Sequence, residues 1–159
     1  MEDKSFRSKA SFGKRIEHYL IGKMLKEGLD LFIPMVDDDA IDVVVKRPDG
    51  KYVEVQIKAR SKQVKQGSAA LFAAIEHRPR ENYWFVFYSE RMDMMWIMSS
   101  NEFIEETYQN KGGKNKGKCR IHFNQSNNSG IERPNKKFEK YLAENFDRIK
   151  NDDPKKKAK

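Results

Sequence analysis

Asp42, Glu54, Gln56 and Lys58 are the side chains whose types and spacing best suit chemistry. They lie in residues 41–60, IDVVVKRPDGKYVEVQIKAR, two strand-like runs joined by a tight turn. In both runs the odd positions Ile41, Val43, Val45, Val53, Val55 and Ile57 are apolar. A period of two buries that side and turns the four polar residues the other way. Carboxylates and an amide oxygen suit a hard divalent cation, and a lysine beside them can orient water or steady developing negative charge. That is equipment for hydrolysing a phosphodiester. A plainer explanation is a solvated sheet face on which acids and a lysine make cross-strand ion pairs.

The turn predicts the register. Pro48, Asp49 and Gly50 suit a three-residue hairpin loop, a type I turn followed by a left-handed glycine. Pairing Arg47 with Lys51 then sets Asp42 opposite Gln56, with Glu54 and Lys58 on either side. A slip of one residue would drive polar side chains into the core, so burial of Val53, Val55 and Ile57 opposes it.

This constellation resembles the PD-(D/E)XK nuclease superfamily, whose signature is an aspartate on one strand of a hairpin and an acid-x-lysine set on the next. The match covers roughly the first sixty residues. Ile41 stands where the signature has proline, and Gln56 where it has an acid; Glu54, two residues earlier on the same strand face, can supply the missing carboxylate. The resemblance implies DNA cleavage with Mg2+ or Mn2+. In that scheme the metal ligands are Asp42, Glu54, the Gln56 amide oxygen and the main-chain carbonyl of Ile57. Lys58 orients the attacking water or stabilises charge on the phosphorane. Glu17 matches the helical glutamate that often joins such sites, and completes the expected catalytic set.

The elements that must position these residues are legible in part. Ser11 suits the cap of a helix over residues 12–26, with Gly28 as a left-handed stop and an apolar stripe of Ile16, Leu20, Ile21, Met24 and Leu25. Glu17 falls within that stripe, so its carboxylate needs a partner or a metal, and a nearby lysine would serve equally. A strand is predicted at 29–35, followed by a turn in which Asp37, Asp38 and Asp39 read as solvated residues, with an outer-shell metal contact as the alternative. Residues 68–76 lean to helix. Residues 83–88 (YWFVFY) and 94–98 (MMWIM) read as an antiparallel pair of strands, the first buried on both faces. Ser99 and Glu102 form a capping box for a helix to about Tyr108. Residues 110–118, NKGGKNKGK, read as a mobile loop, 120–124 as a short strand and 125–130 as a polar loop. A last helix over 136–149, capped by Asn135, would align Phe138, Tyr141, Leu142, Phe146 and Ile149.

Composition agrees with a polyanionic partner. The net charge is +8, and residues 151–159, with four lysines against two aspartates, hold only a quarter of it. Arg60, Lys62 and Lys65 follow the hairpin, and Lys111, Lys114, Lys116, Lys118 and Arg120 form an acid-free group, so both sets are candidate nucleic-acid contacts. A loop kept soluble by lysine explains the second set as well. Arg78 and Arg80 are weaker candidates. The aromatic strand residues Trp84, Phe85, Phe87, Tyr88 and Trp96 read as core. One cysteine, Cys119, excludes an internal disulfide, and His18, His77 and His122 lack paired spacing for zinc; His77, beside Arg78, is the histidine worth testing. No stretch approaches the ~20 apolar residues of a membrane span, and the expected compartment is the cytoplasm.

The expected fold is thus a single α/β domain over 1–150, restriction-endonuclease-like, with a mixed β-sheet flanked by α-helices, and a basic disordered tail over 151–159. Three functions stay open: a Mg2+-dependent endonuclease acting on DNA, a nuclease-like module that only binds nucleic acid, and a protein-interaction domain with an incidental basic surface. A homodimer is compatible with each.

Overall fold

A computed structural model of the chain describes residues 8–127 and 129–151. The tail reading therefore lies, from Asp152 onward, outside the described residues. Helix α1 (Lys9–Lys26) starts ahead of the predicted 12–26 because Ser8, not Ser11, is its cap. The Ser8 hydroxyl accepts the Ser11 N–H at 3.1 Å, and the Ser11 hydroxyl donates back to the Ser8 carbonyl at 3.0 Å. Gly28, at φ 80°, supplies the left-handed exit that the sequence promised. Strand β1 (Asp30–Phe32) is shorter than the predicted 29–35, and Pro34, which lacks an N–H, cannot extend its ladder.

The hairpin of β2 (Val43–Lys46) and β3 (Tyr52–Arg60) has the predicted register. Val43 pairs with Val55 and Val45 with Val53, and the Arg47 N–H donates to the Lys51 carbonyl at 2.8 Å; the expected pairing of Asp42 with Gln56 is not formed, because the Asp42 N–H also turns to Val55, donating to its carbonyl at 2.9 Å. The Gly50 N–H donates to the Arg47 carbonyl at 2.9 Å, with Gly50 at φ 85° as the turn demands. Val43, Val45, Val53 and Val55 are fully buried. Ile41 departs from the pattern: it packs with the core on the opposite sheet face, because the chain leaves the strand path just before β2 at Ala40, whose φ is 56°.

Residues 68–76 are not helical. They hold β4 (Leu71–Ile75), which places Phe72 and Ile75 inward and carries a bulge at Ala74, φ 57°. Packing outweighs the weak local preference here, since the Phe72 ring sits 4.9 Å from that of Phe87. Strand β5 (Tyr83–Ser89) is buried at every position, as predicted. It runs parallel to β3 and antiparallel to β6 (Met94–Ser99). Its residues alternate between two cores. Trp84, Val86 and Tyr88 join the four valines and the α1 stripe; Tyr83, Phe85 and Phe87 join the core on the other face. Leu20 and Met24 of α1 are fully buried, a burial that stabilises by about 1.5–3 kcal/mol each.

The capping box opens α2 (Ser100–Glu106) as expected, but the helix ends early because Tyr108 enters β7 (Tyr108–Gln109). Strand β8 (Cys119–His122) pairs with β7 and β4, giving a three-stranded sheet over the second core. Residues 125–130 are not all loop: β9 (Asn124–Ser126) pairs with β10 (Glu132–Pro134).

The predicted helix over 136–149 is broken into three pieces. A 3-10 turn (Lys136–Tyr141), capped by Asn135 as expected, leads to strand β11 (Leu142–Ala143) and then helix α3 (Asp147–Asn151). The reason lies in where the side chains go. Phe138 and Tyr141 fill the second core while Phe146 and Ile149 fill the first, so one straight helix could not serve both. The chain instead rounds the sheet edge by pairing β11 with β6, completing a six-stranded mixed sheet of order β1-β2-β3-β5-β6-β11. From α3 the Arg148 guanidinium donates to both Glu102 carboxylate oxygens at 2.9 Å and to the Ile97 carbonyl, and lies 5.1 Å over the Trp84 ring. The mixed α/β fold expected from the sequence is therefore present.

Candidate active site

Asp42 sits one residue before β2, where its carboxylate can reach across to the backbone of β3. Its Oδ2 accepts the Ile57 N–H at 2.6 Å. Burial raises its pKa, and the nearby Glu17 and Asp37 carboxylates push in the same direction; the Ile57 hydrogen bond and Lys58 oppose them. The Ile41 N–H does not cross to β3 but donates to Asp37 Oδ1 at 3.1 Å, and the Asp42 N–H goes to the Val55 carbonyl at 2.9 Å. The N–H and C=O of an extended residue point to the same edge. The Ile57 carbonyl thus faces the Asp42 side without that cross-strand donor.

Lys58 lies on β3 opposite Phe87, on the same sheet face as Gln56 and Glu54. Burial lowers its pKa, while Asp42 and Asp37 hold it up. Asp42, Lys58, Glu17 and Asp37 therefore form one electrostatic group. Glu17 is buried on α1 and receives a 2.7 Å ion pair from Lys14. The lysine partner foreseen for Glu17 is real, and the Glu17 carboxylate bears on Asp42 as well.

Gln56 and Glu54 are held by other groups. The Tyr83 hydroxyl lies 2.6 Å from the Ala40 carbonyl and 3.2 Å from Gln56 Oε1. Glu54 pairs with Arg80 at 2.5 Å, and the same guanidinium donates to the Asp39 carbonyl at 2.8 Å and covers the Tyr83 ring at 4.3 Å. The structure brings Asp42, Ile57, Lys58 and Glu17 together, but turns Gln56 Oε1 to the Tyr83 hydroxyl and the Glu54 carboxylate toward Arg80. Asp37 is the residue that sequence reasoning undervalued. Its signal was local: an aspartate four residues before a backbone N–H just ahead of a strand is an Asx-type cap.

His77 is part of the core wall. Its Nε2 is 2.7 Å from the Ser100 hydroxyl, its ring stacks on Tyr83 at 5.1 Å, and Phe85 and Phe103 meet it edge-on. Burial, aided by Arg80, pushes its pKa down from 6.5 to about 4. The folded state therefore favours the neutral ring. That stability is whole above the unfolded pKa and is lost as pH falls through the window from 6.5 to about 4. The ring is partly solvated, so the expected loss is ~1–2 kcal/mol. Urea midpoints measured across this window should fall in the parent and stay flatter in His77→Asn; equal slopes would refute the assignment.

Arg60 ends β3 and donates from Nε to the Ser68 carbonyl at 3.3 Å; with Lys65 it lines a cleft beside Lys9 and Phe12 of α1. The Lys62 N–H donates to Glu90 at 3.0 Å. Lys111, Lys114 and Lys116 lie on the β7–β8 loop and are exposed. Among the described residues no three His, Cys, Asp or Glu side chains are arranged to hold a metal by themselves, and no helix is long and apolar enough to cross a membrane.

The fold is similar to that of a bacterial homing endonuclease, I-Ssp6803I. The superposition has a TM-score of 0.58 and 21% identity, and covers 86% of this chain and 89% of that one. No protein-family model matches the chain, and no curated protein matches it. The shared element is the fold: a mixed sheet with flanking helices, on which the Asp42 and Lys58 positions are built.

Proposed function

We propose that this chain is a metal-dependent DNA endonuclease, its nuclease domain spanning residues 1–150. The observation that carries the reading is the Asp42–Ile57–Lys58 arrangement. A half-buried carboxylate is locked to the backbone one residue before a half-buried lysine, in a field made more negative by Glu17 and Asp37. Likeness to a homing endonuclease fold supports it.

The residues fit a hard cation such as Mg2+ or Mn2+. Crowded negative charge disfavours ionised Asp42, and a cation there would relieve it. Asp42, the Ile57 carbonyl and the Gln56 amide oxygen are the groups that would hold it. Magnesium keeps several waters and shares its remaining positions with substrate phosphates, so a sparse protein ligand set suits it. When bound, such an ion lowers the pKa of water and neutralises phosphate charge. Glu54 reaches the site only by leaving Arg80. Lys58, its ammonium desolvated on the same face as Gln56, donates to the attacking water or the phosphorane oxygen, and its lowered pKa eases proton transfer. Glu17 acts through Asp42, its like charge holding the Asp42 pKa up.

Nicking of supercoiled DNA with magnesium, manganese or EDTA, by the parent and by Lys58→Ala, tests this. The expected result is metal-dependent nicking that EDTA abolishes and the variant loses by about 10²-fold or more. Equal cleavage by both proteins, or cleavage in EDTA, would refute it. The neutral Gln56 favours one rival, a module that binds DNA without cutting; no cleavage with salt-sensitive binding retained would establish that reading instead.

A further inference from the structure

The β7–β8 hairpin is built more firmly than its sequence suggests. Residues 110–118 contain no apolar side chain, and the sequence reads them as a mobile loop. In the structure the Asn110 N–H donates to the Lys118 carbonyl at 3.0 Å and the Gly117 N–H to the Asn110 carbonyl at 2.8 Å. Lys116 N–H donates to Gly113, Lys118 N–H to Asn115, and the Gln109 amide to the Gly117 carbonyl at 2.9 Å. Gly113 at φ 72° and Gly117 at φ 81° make this stack of turns accessible. The hydrogen bonds fix the loop backbone from which Lys111, Lys114 and Lys116 project into solvent.

The ribbon beneath the loop is suited to the same partner. Arg120 is directly opposite Tyr108, so both project from the outer face of the small sheet, and Tyr108 is 60% exposed. Beside them the β4 bulge presents Ala73 and Ala74, both exposed and small. Cys119 and Ile121 face inward and anchor the ribbon. No acid lies anywhere in residues 108–120. Position completes the case. Lys58 shares its sheet face with Phe87, Phe87 packs on Phe72 of β4, and Phe72 pairs with Ile121 of β8. The hairpin thus stands on the face of the large sheet that carries the Lys58 row.

We propose that the β7–β8 hairpin is a preformed clamp for duplex DNA, its loop lysines meeting phosphates while the Tyr108–Arg120 ribbon lies along a groove. A two-stranded ribbon fits the ~12 Å major groove of B-form DNA. The proposal rests on the nuclease reading and names its substrate as a duplex.

The test is equilibrium binding of a mixed-sequence duplex, and of one of its single strands, from about 50 to 300 mM salt. An Asp42→Asn protein serves as the non-cutting parent. It is compared with the same protein carrying Lys111→Ser, Lys114→Ser and Lys116→Ser, and with a charge-matched control carrying Lys26→Ser, Lys46→Ser and Lys51→Ser. The hairpin triple should lower the slope of log affinity against log salt by about 2–3, at ~0.9 per phosphate contact, with an unchanged urea midpoint; the control should keep the parent slope. An unchanged slope in the hairpin triple, an equal loss in the control, or parent preference for the single strand would overturn the clamp. If the hairpin triple in the Asp42 background nicks duplex as the parent chain does and binds it equally, the clamp falls and the nuclease stands. If the parent chain neither binds nor cuts, both fall.

Discussion

Asp42→Asn should abolish metal-dependent cleavage, by about 10³-fold or more, while leaving the melting temperature unchanged or raised. The two halves share one cause. Asparagine retains an oxygen to accept the Ile57 N–H, so the strand contact at 2.6 Å survives. What disappears is a negative charge that burial, Glu17 and Asp37 all disfavour. The folded-state pKa of Asp42 lies above its unfolded value, so the charge weighs against folding once pH exceeds the folded pKa. That penalty fades as pH falls toward the unfolded value. The variant should therefore match or exceed the parent in stability at neutral pH, and the gap should close in acid. Thermal unfolding at neutral and acidic pH beside the nicking assay reads both halves. A melting point lowered by more than about 5 °C would make Asp42 a structural residue and undo the argument.

Arg148→Met should cost about 2–4 kcal/mol, the largest stability effect expected of any charged residue here. The guanidinium satisfies both oxygens of Glu102 at 2.9 Å, and Glu102 is itself buried at 7% exposure. Removing the cation leaves the carboxylate desolvated with only its capping-box contacts. It also frees the Ile97 carbonyl and strips the cover from Trp84. Urea unfolding measures the loss. Adding Glu102→Gln should recover part of it, because glutamine keeps an acceptor for the Ser99 N–H without an orphaned charge. A loss below about 0.5 kcal/mol would show that the pair is solvent-screened after all.

The sequence was most informative where short-range rules and burial agreed. The β2–β3 hairpin obeys its turn residues and its valines at once, so the pairing of Val43 with Val55 and Val45 with Val53 was legible to the residue, while the irregular step at Asp42, whose N–H goes to Val55, was not. Ser99 and Glu102 announced α2, and the YWFVFY run announced its central strand. The failures share a different physics. Residues 136–149 have helical spacing, yet their aromatics belong to two cores on opposite sheet faces, and periodicity carries no information about which core a residue fills. Residues 68–76 became a strand because Phe72 had Phe87 and Ile121 to meet. In the site, Asp42, Lys58 and Glu17 were readable as a group. The pairing of Glu54 with Arg80 was not, since it joins residues 26 positions apart through a loop of irregular course. Asp37 was hidden by its setting among three consecutive aspartates.

The passage of the chain around the edge of β6 bears on how the protein comes into being. Phe138 and Tyr141 close one core and Phe146 and Ile149 the other, so neither can be sealed before the ribosome has delivered residues 138–149. The β2–β3 hairpin that holds Asp42 and Lys58 is made much earlier, yet it rests on the core that awaits Phe146. A nascent chain thus carries the site residues before the packing that aligns them is in place.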